Sequence, residues 1–132
     1  MPGMRNGIEM LNLSSPTEAY RRVDFDARVA GGGPRDLTLL CYERLDTALG
    51  RALLAEQRRD VAGRSKALTD ALAAVTALKL GLDPAHPLAA AFDTMFDNAR
   101  QQLLKSVPTV DVAAVSTLRA DFAELAAALR KR

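Results

Sequence analysis

The sequence predicts an all-α protein, an antiparallel up-down-up-down four-helix bundle behind a flexible N-terminal arm. Three observations carry this prediction. Apolar residues recur at gaps of three, four and seven in four separate segments, the spacing that lines one side of an α-helix. Prolines fall between those segments and not inside them: the six stand at Pro2, Pro16, Pro34, Pro84, Pro87 and Pro108, and a helix interior loses about 3 kcal/mol to a proline. No segment alternates polar and apolar residues as a half-buried strand does.

Residues 1–33 read as a mobile arm, with a short helix over Thr17 to Val29 as its one structured option. Met1 to Pro16 mixes Gly, Asn and Ser with isolated Ile8, Met10, Leu11 and Leu13, which suit folding back onto an apolar surface. The run Gly31-Gly32-Gly33 leaves the backbone too free for a helix.

The bundle is assigned to residues 34–132. Its first helix begins at Pro34, an acceptable first-turn residue, with Asp36 adding charge that suits that turn. Leu37, Cys41, Leu45, Ala48 and Ala52 form its inner stripe, with Leu40, Leu49 and Leu53 beside it. Gly50 lowers its helix propensity by about 1 kcal/mol, which suggests a close backbone neighbour. A tight turn at Glu56–Asp60 offers Asp60 as N-cap to the second helix. That helix carries the ladder Val61, Leu68, Leu72, Val75, Leu78, Leu82 and stops at Asp83-Pro84. The third starts near Pro87 and sets Leu88, Phe92, Met95, Ala99 and Leu103 on one side. The fourth starts near Asp111 with Val112, Val115, Leu118, Phe122, Leu125 and Leu129, and ends in a basic triplet that complements the helix dipole. Short connections between four such helices imply antiparallel neighbours.

Composition excludes several functions. Of 132 residues, 48% are apolar but only 5% aromatic, with no Trp, which favours close packing of Ala- and Leu-rich helices. A pI near 9 sounds basic, yet the formal charge is only +2, too little to support nucleic-acid binding. No apolar run of about 18 residues offers membrane insertion. The N-terminus does not read as a signal peptide, and Cys41 as sole cysteine precludes an intrachain disulfide, so the cytoplasm is the expected compartment.

Catalytic and cofactor chemistry is missing from the pattern. His86, the single histidine, sits between Pro84 and Pro87 in a turn and not on a helix face, which argues against a phosphotransfer bundle; it reads as solvated or capping. There is no Glu-x-x-His pair for a metal. Cys41 on an inner stripe reads as a small buried hydrophobe. The glycine run before Pro34 lacks both a preceding strand and a Gly-Lys-Ser/Thr ending, so it is no phosphate loop. No catalytic, cofactor or metal residue is assigned. The basic pairs Arg21-Arg22 and Arg58-Arg59 have acidic neighbours and read as solvated surface.

Several local patterns together resemble the flagellin export chaperones, the FliS family. They are Ala19-Tyr20 in the arm; Val29 followed by Pro34-Arg35-Asp36-Leu37-Thr38-Leu39-Leu40-Cys41-Tyr42-Glu43; the ladder ending Leu78 to Leu82-Asp83; and Phe92-Asp93-Thr94-Met95. Their order and spacing make the match over residues 19 to 130. The chain departs from the family in three ways. Tyr20 lies further from Pro34 than is usual; Cys41 and Arg44 stand where Leu and Gly are frequent; and a fourth-helix tryptophan is replaced, with Leu125 as its occupant.

The resemblance implies a non-enzymatic cytoplasmic chaperone. It would bind the disordered C-terminal segment of flagellin, block premature polymerisation and assist delivery to a protein of the export gate. It also implies Tyr20 and Val23 as partner-binding residues of the arm, with Leu78, Leu82, Phe92 and Phe96 as groove residues. Phe96, one step beyond Met95, widens the apolar face of the third helix, although Leu and Phe at helical spacing most often form core. The competing reading is a helical adaptor or regulator that binds a folded partner. The identity of the flagellin and the oligomeric state are not written in the sequence.

Overall fold

The structure, a computed structural model, describes residues 34–131. Four helices follow in order: α1 (Pro34–Gln57), α2 (Val61–Leu80), α3 (Ala89–Lys105) and α4 (Val112–Arg130). Among the described residues there is no strand. The side chains show that consecutive helices run antiparallel. Glu56 near the end of α1 pairs with Arg64 near the start of α2 at 3.4 Å, and Lys79 at the end of α2 pairs with Asp93 near the start of α3 at 3.3 Å. Arg35 at the start of α1 reaches the last turn of α4, donating from Nη2 to the carbonyls of Leu129 and Arg130 at 2.8 Å each. That contact satisfies carbonyls that no helical N–H can reach.

The helix ends follow from identifiable side chains. Asp60 caps α2, its carboxylate accepting from the Gly63 N–H at 2.9 Å, and Asp111 caps α4 by accepting from Ala114 at 3.1 Å. The end of α1 is closed by two backbone bonds, Asp60 N–H to the Ala55 carbonyl and Arg59 N–H to that of Glu56. This is a Schellman closure, and it places Arg59 at φ 55°, the left-handed position usually given to glycine. α2 ends at Leu80, short of the Asp83-Pro84 pair.

The core is aliphatic along α1 and α2 and aromatic toward α3 and α4. Leu45, Leu49, Leu68, Val75, Leu103 and Val115 are completely enclosed. Small residues let α1 and α2 approach closely: Ala48, Ala52, Ala67, Ala71, Ala74 and Ala77 are all buried. The contact of α1 with α2 is the most extensive, followed by α1 with α4 and α2 with α3, and α3 with α4 is the slightest of these four neighbouring pairs.

Three stripe residues depart from the sequence expectation. Val61, Leu88 and Val112 are exposed, at 61%, 55% and 53%. Each is the cap or first residue of its helix, where the periodic stripe runs past the ends of the neighbouring helices. On α3 the core position falls on Phe96, while Met95 is only half-buried. Gly50 also differs: its close neighbour is not a backbone but the Arg119 guanidinium of α4, whose Nη2 would lie 2.9 Å from a Cβ added there.

Candidate functional site

α3 places Phe92 and Phe96 one turn apart, so their rings share a side of the helix. The two rings stack with centroids 6.2 Å apart. Phe96 in turn stacks on Phe122 of α4 at 6.0 Å, and Phe122 meets Tyr42 of α1 at 6.1 Å. At the other end His86 lies against Phe92 at 5.9 Å. These spacings are those of favourable aromatic pairs. One row of rings thus runs from the α2–α3 connection through α3 and α4 to α1, and it holds every phenylalanine and tyrosine among the described residues.

The row passes from the interior to the surface. Tyr42, Phe96 and Phe122 are buried and Phe92 is half-buried. Around it Leu37 and Leu40 of α1, Met95 of α3, and Leu125 and Leu129 of α4 are also partly buried and pack on the edge of the core. Further along the α3–α4 seam lies an open cleft of about 340 Å³ lined by Gln102, Ala113, Ala114, Thr117, Leu118 and Asp121. Leu104, Val107 and Val112 are exposed near the connection between those two helices.

Of the six partner-binding residues expected from the sequence, Tyr20 and Val23 lie outside the described residues. Leu78 and Phe96 stand together in the buried core at 5% and 3% exposure, while Leu82 and Phe92 keep part of their surface in solvent. Leu82 sits just past the end of α2, with its N–H donating to the Lys79 carbonyl. Sequence reasoning did not find the continuation of the row into Phe122 and Tyr42, because those pairings cross between helices distant in the chain. Nor did it find the α3–α4 cleft. Its one local signal is the row of small residues on α4, from Ala113 and Ala114 to Thr117.

The polar groups near the site serve structure. His86 Nδ1 accepts from the Leu88 N–H at 3.0 Å, and Asp83 accepts from Ala85 at 2.9 Å, which together shape the α2–α3 connection. Lys79 is clasped by Asp97 and Asp93; the hydrogen bond to Asp97 is the main reason its pKa rises, against partial desolvation and with help from Asp93. Cys41 is 2% exposed, and burial pushes its thiol from 9.0 to about 12, the reverse of what an activated nucleophile needs. Burial also raises Tyr42. No three His, Cys, Asp or Glu side chains converge to hold a metal among the described residues, and no described helix is long and apolar enough to cross a membrane.

The arrangement is an apolar, aromatic-backed helical surface of the kind that packs against an apolar partner. Comparison with known proteins agrees with the geometry. Searches of curated proteins and of solved structures gave no match. A family model described as flagellar protein FliS matches residues 16–131, and the chain therefore belongs to the FliS family of flagellar export chaperones, which are not enzymes.

Proposed function

We propose that this chain binds the disordered C-terminal segment of flagellin in the cytoplasm. In doing so it holds the subunit unpolymerised and helps deliver it to a protein of the export gate. The observation that carries this reading is the sparse contact between α3 and α4 beside half-buried Phe92, Met95, Leu125 and Leu129. A seam of this kind leaves apolar surface for an amphipathic helix to cover, the helix-in-groove mode.

In this reading Leu82 and Phe92, which keep part of their surface in solvent, touch the client directly. Leu78 and Phe96 form the wall behind them, setting the position of the Phe92 ring. Tyr20 and Val23 supply contacts from the arm. A client wrapped over several helices buries roughly 2,000 Å² or more. Ordering it consumes about 2–5 kcal/mol of the gross gain, which keeps release feasible.

The test is calorimetry of the chain with a synthetic peptide spanning the C-terminal helical segment of flagellin from the same organism, with circular dichroism alongside. One-to-one binding, a negative heat-capacity change and new helix signal are expected. No binding by a chain shown to be folded overturns the reading and puts the adaptor for a folded partner in its place.

A further inference from the structure

The α1–α2 turn carries a second surface, remote from the aromatic row. Leu54 lies about 18 Å along α1 from Tyr42, at 1.5 Å per residue. A cleft of about 230 Å³ opens there between α1 and α2. Its floor is apolar: Ala55 and Ala67 are buried, and Leu54 is 43% exposed. Its rim is cationic, with Arg51, Arg58 and Lys66.

Two carboxylates also border the cleft, and both are engaged. Asp60 is committed to the cap of α2, and Asp70 pairs with Lys66 at 3.5 Å. Arg51 and Arg58 have no carboxylate partner among the described residues. Elsewhere arginines do find partners: Arg35 on the α4 carbonyls, Arg64 on Glu56, Arg119 on Asp46 and Arg130 on Glu43. The stretch from Gly50 to Asp70 contains five cations and three carboxylates, so it matches the +2 excess of the entire chain.

We propose that this cleft is a docking surface for an acidic peptide segment of a second protein, one apolar side chain flanked by carboxylates. The apolar side chain covers Leu54 and enters between Ala55 and Ala67, and the carboxylates meet Arg51 and Arg58. The volume is below the roughly 300–1,000 Å³ of small-molecule sites, so it takes one side chain and not a cofactor. Two unpaired guanidiniums over an apolar floor fit a peptide better than a phosphate backbone, whose binding rests on many charges. The site is independent of the client-binding reading, because it shares no residue with the aromatic row.

The probe is the blocked peptide Glu-Asp-Leu-Asp-Glu, titrated into the isotope-labelled full chain and followed by amide shifts. Shifts confined to Arg51 through Asp70, weakening with added salt, are expected. The double variant Arg51→Glu with Arg58→Glu should lower the affinity by at least about tenfold with an unchanged thermal transition, since facing like charges are strongly unfavourable. Leu54→Ser should weaken binding with the charges intact. The proposal is overturned if no shift appears at this turn up to millimolar peptide. Equal shifts from sulfate, or from a peptide with Ser in place of Leu, also overturn it by reducing the site to simple ion pairing. Self-association that disappears in the double variant would assign the cleft to a second copy of the chain, with the same consequence.

Discussion

α4 meets α1 on one side and α3 on the other, and the two contacts differ in kind. Toward α1 it is held by specific polar contacts along its length. Arg119 forks onto Asp46 at 2.9 and 3.2 Å, lying over the space left by Gly50, and Arg130 pairs with Glu43 at 3.6 Å while Arg35 seals the last turn. Toward α3 the helices touch less, and stacking of Phe122 on Phe96 is the main described link. A bundle with one secured seam and one sparse seam can keep its fold through the first, and under the proposed function the second is where a client helix docks. Ion pairs of this exposure each contribute only about 0–1 kcal/mol. They therefore fix the register of α4 on α1 more than they stabilise it.

Phe122 joins both seams, so its removal should have the largest effect. Phe122→Ala is expected to lower stability by about 3–5 kcal/mol in urea unfolding, as for other buried phenylalanines. A loss under about 1 kcal/mol would mean that the aromatic row does not hold the seams together.

Alkaline pH should act next, through the buried face of α1. The folded state raises the Cys41 pKa from 9.0 to about 12, so the folded protein keeps a proton that the unfolded chain gives up. Stability from this group is intact below pH 9.0 and falls by roughly 1.4 kcal/mol per pH unit above it, until the folded thiol also ionises near 12. Tyr42, raised by burial, steepens the fall at higher pH. Cys41→Ala should flatten the slope just above pH 9.0 in unfolding measured across pH; an unchanged slope would assign it elsewhere.

Arg59→Gly should stabilise the α1–α2 turn by up to about 1 kcal/mol, because glycine adopts the left-handed backbone without the steric cost of a side chain. A lower melting temperature would contradict this. Arg119→Ala should cost about 0.2–1 kcal/mol and Gly50→Ala should offset it, since a helical alanine gains up to about 1 kcal/mol over glycine. Non-additive energies in the double variant would reveal the contact between the two sites. Leu104→Ala, exposed on the side of α3 away from the sparse seam, should change stability by less than about 0.5 kcal/mol.

Local chemistry explains which of these features were legible in the sequence. Pro34, Asp60 and Asp111 announce the starts of α1, α2 and α4 because first-turn and capping preferences act within a few residues. The spacing from Leu68 to Leu78 identifies the buried side of α2 for the same reason. What depends on packing between distant helices was not legible. Val61, Leu88 and Val112 continue their stripes yet stand exposed, because where a core ends is set by the neighbouring helices. Gly50 advertised a close approach, but only the fold identifies Arg119 as its cause. Leu82 and Phe92 could be named from the family pattern, whereas the inequality of the two seams has no signature in a single helix.

Hydrogen exchange of the full chain, with and without the flagellin C-terminal peptide, tests the central claim most directly. The account predicts added protection along α3 and α4 and around Leu82 and Phe92, with the interior of α1 from Leu45 to Ala52 unchanged. Protection gained on the α1–α4 side alone, or spread evenly over the four helices, would contradict the sparse α3–α4 seam as the place where the client docks.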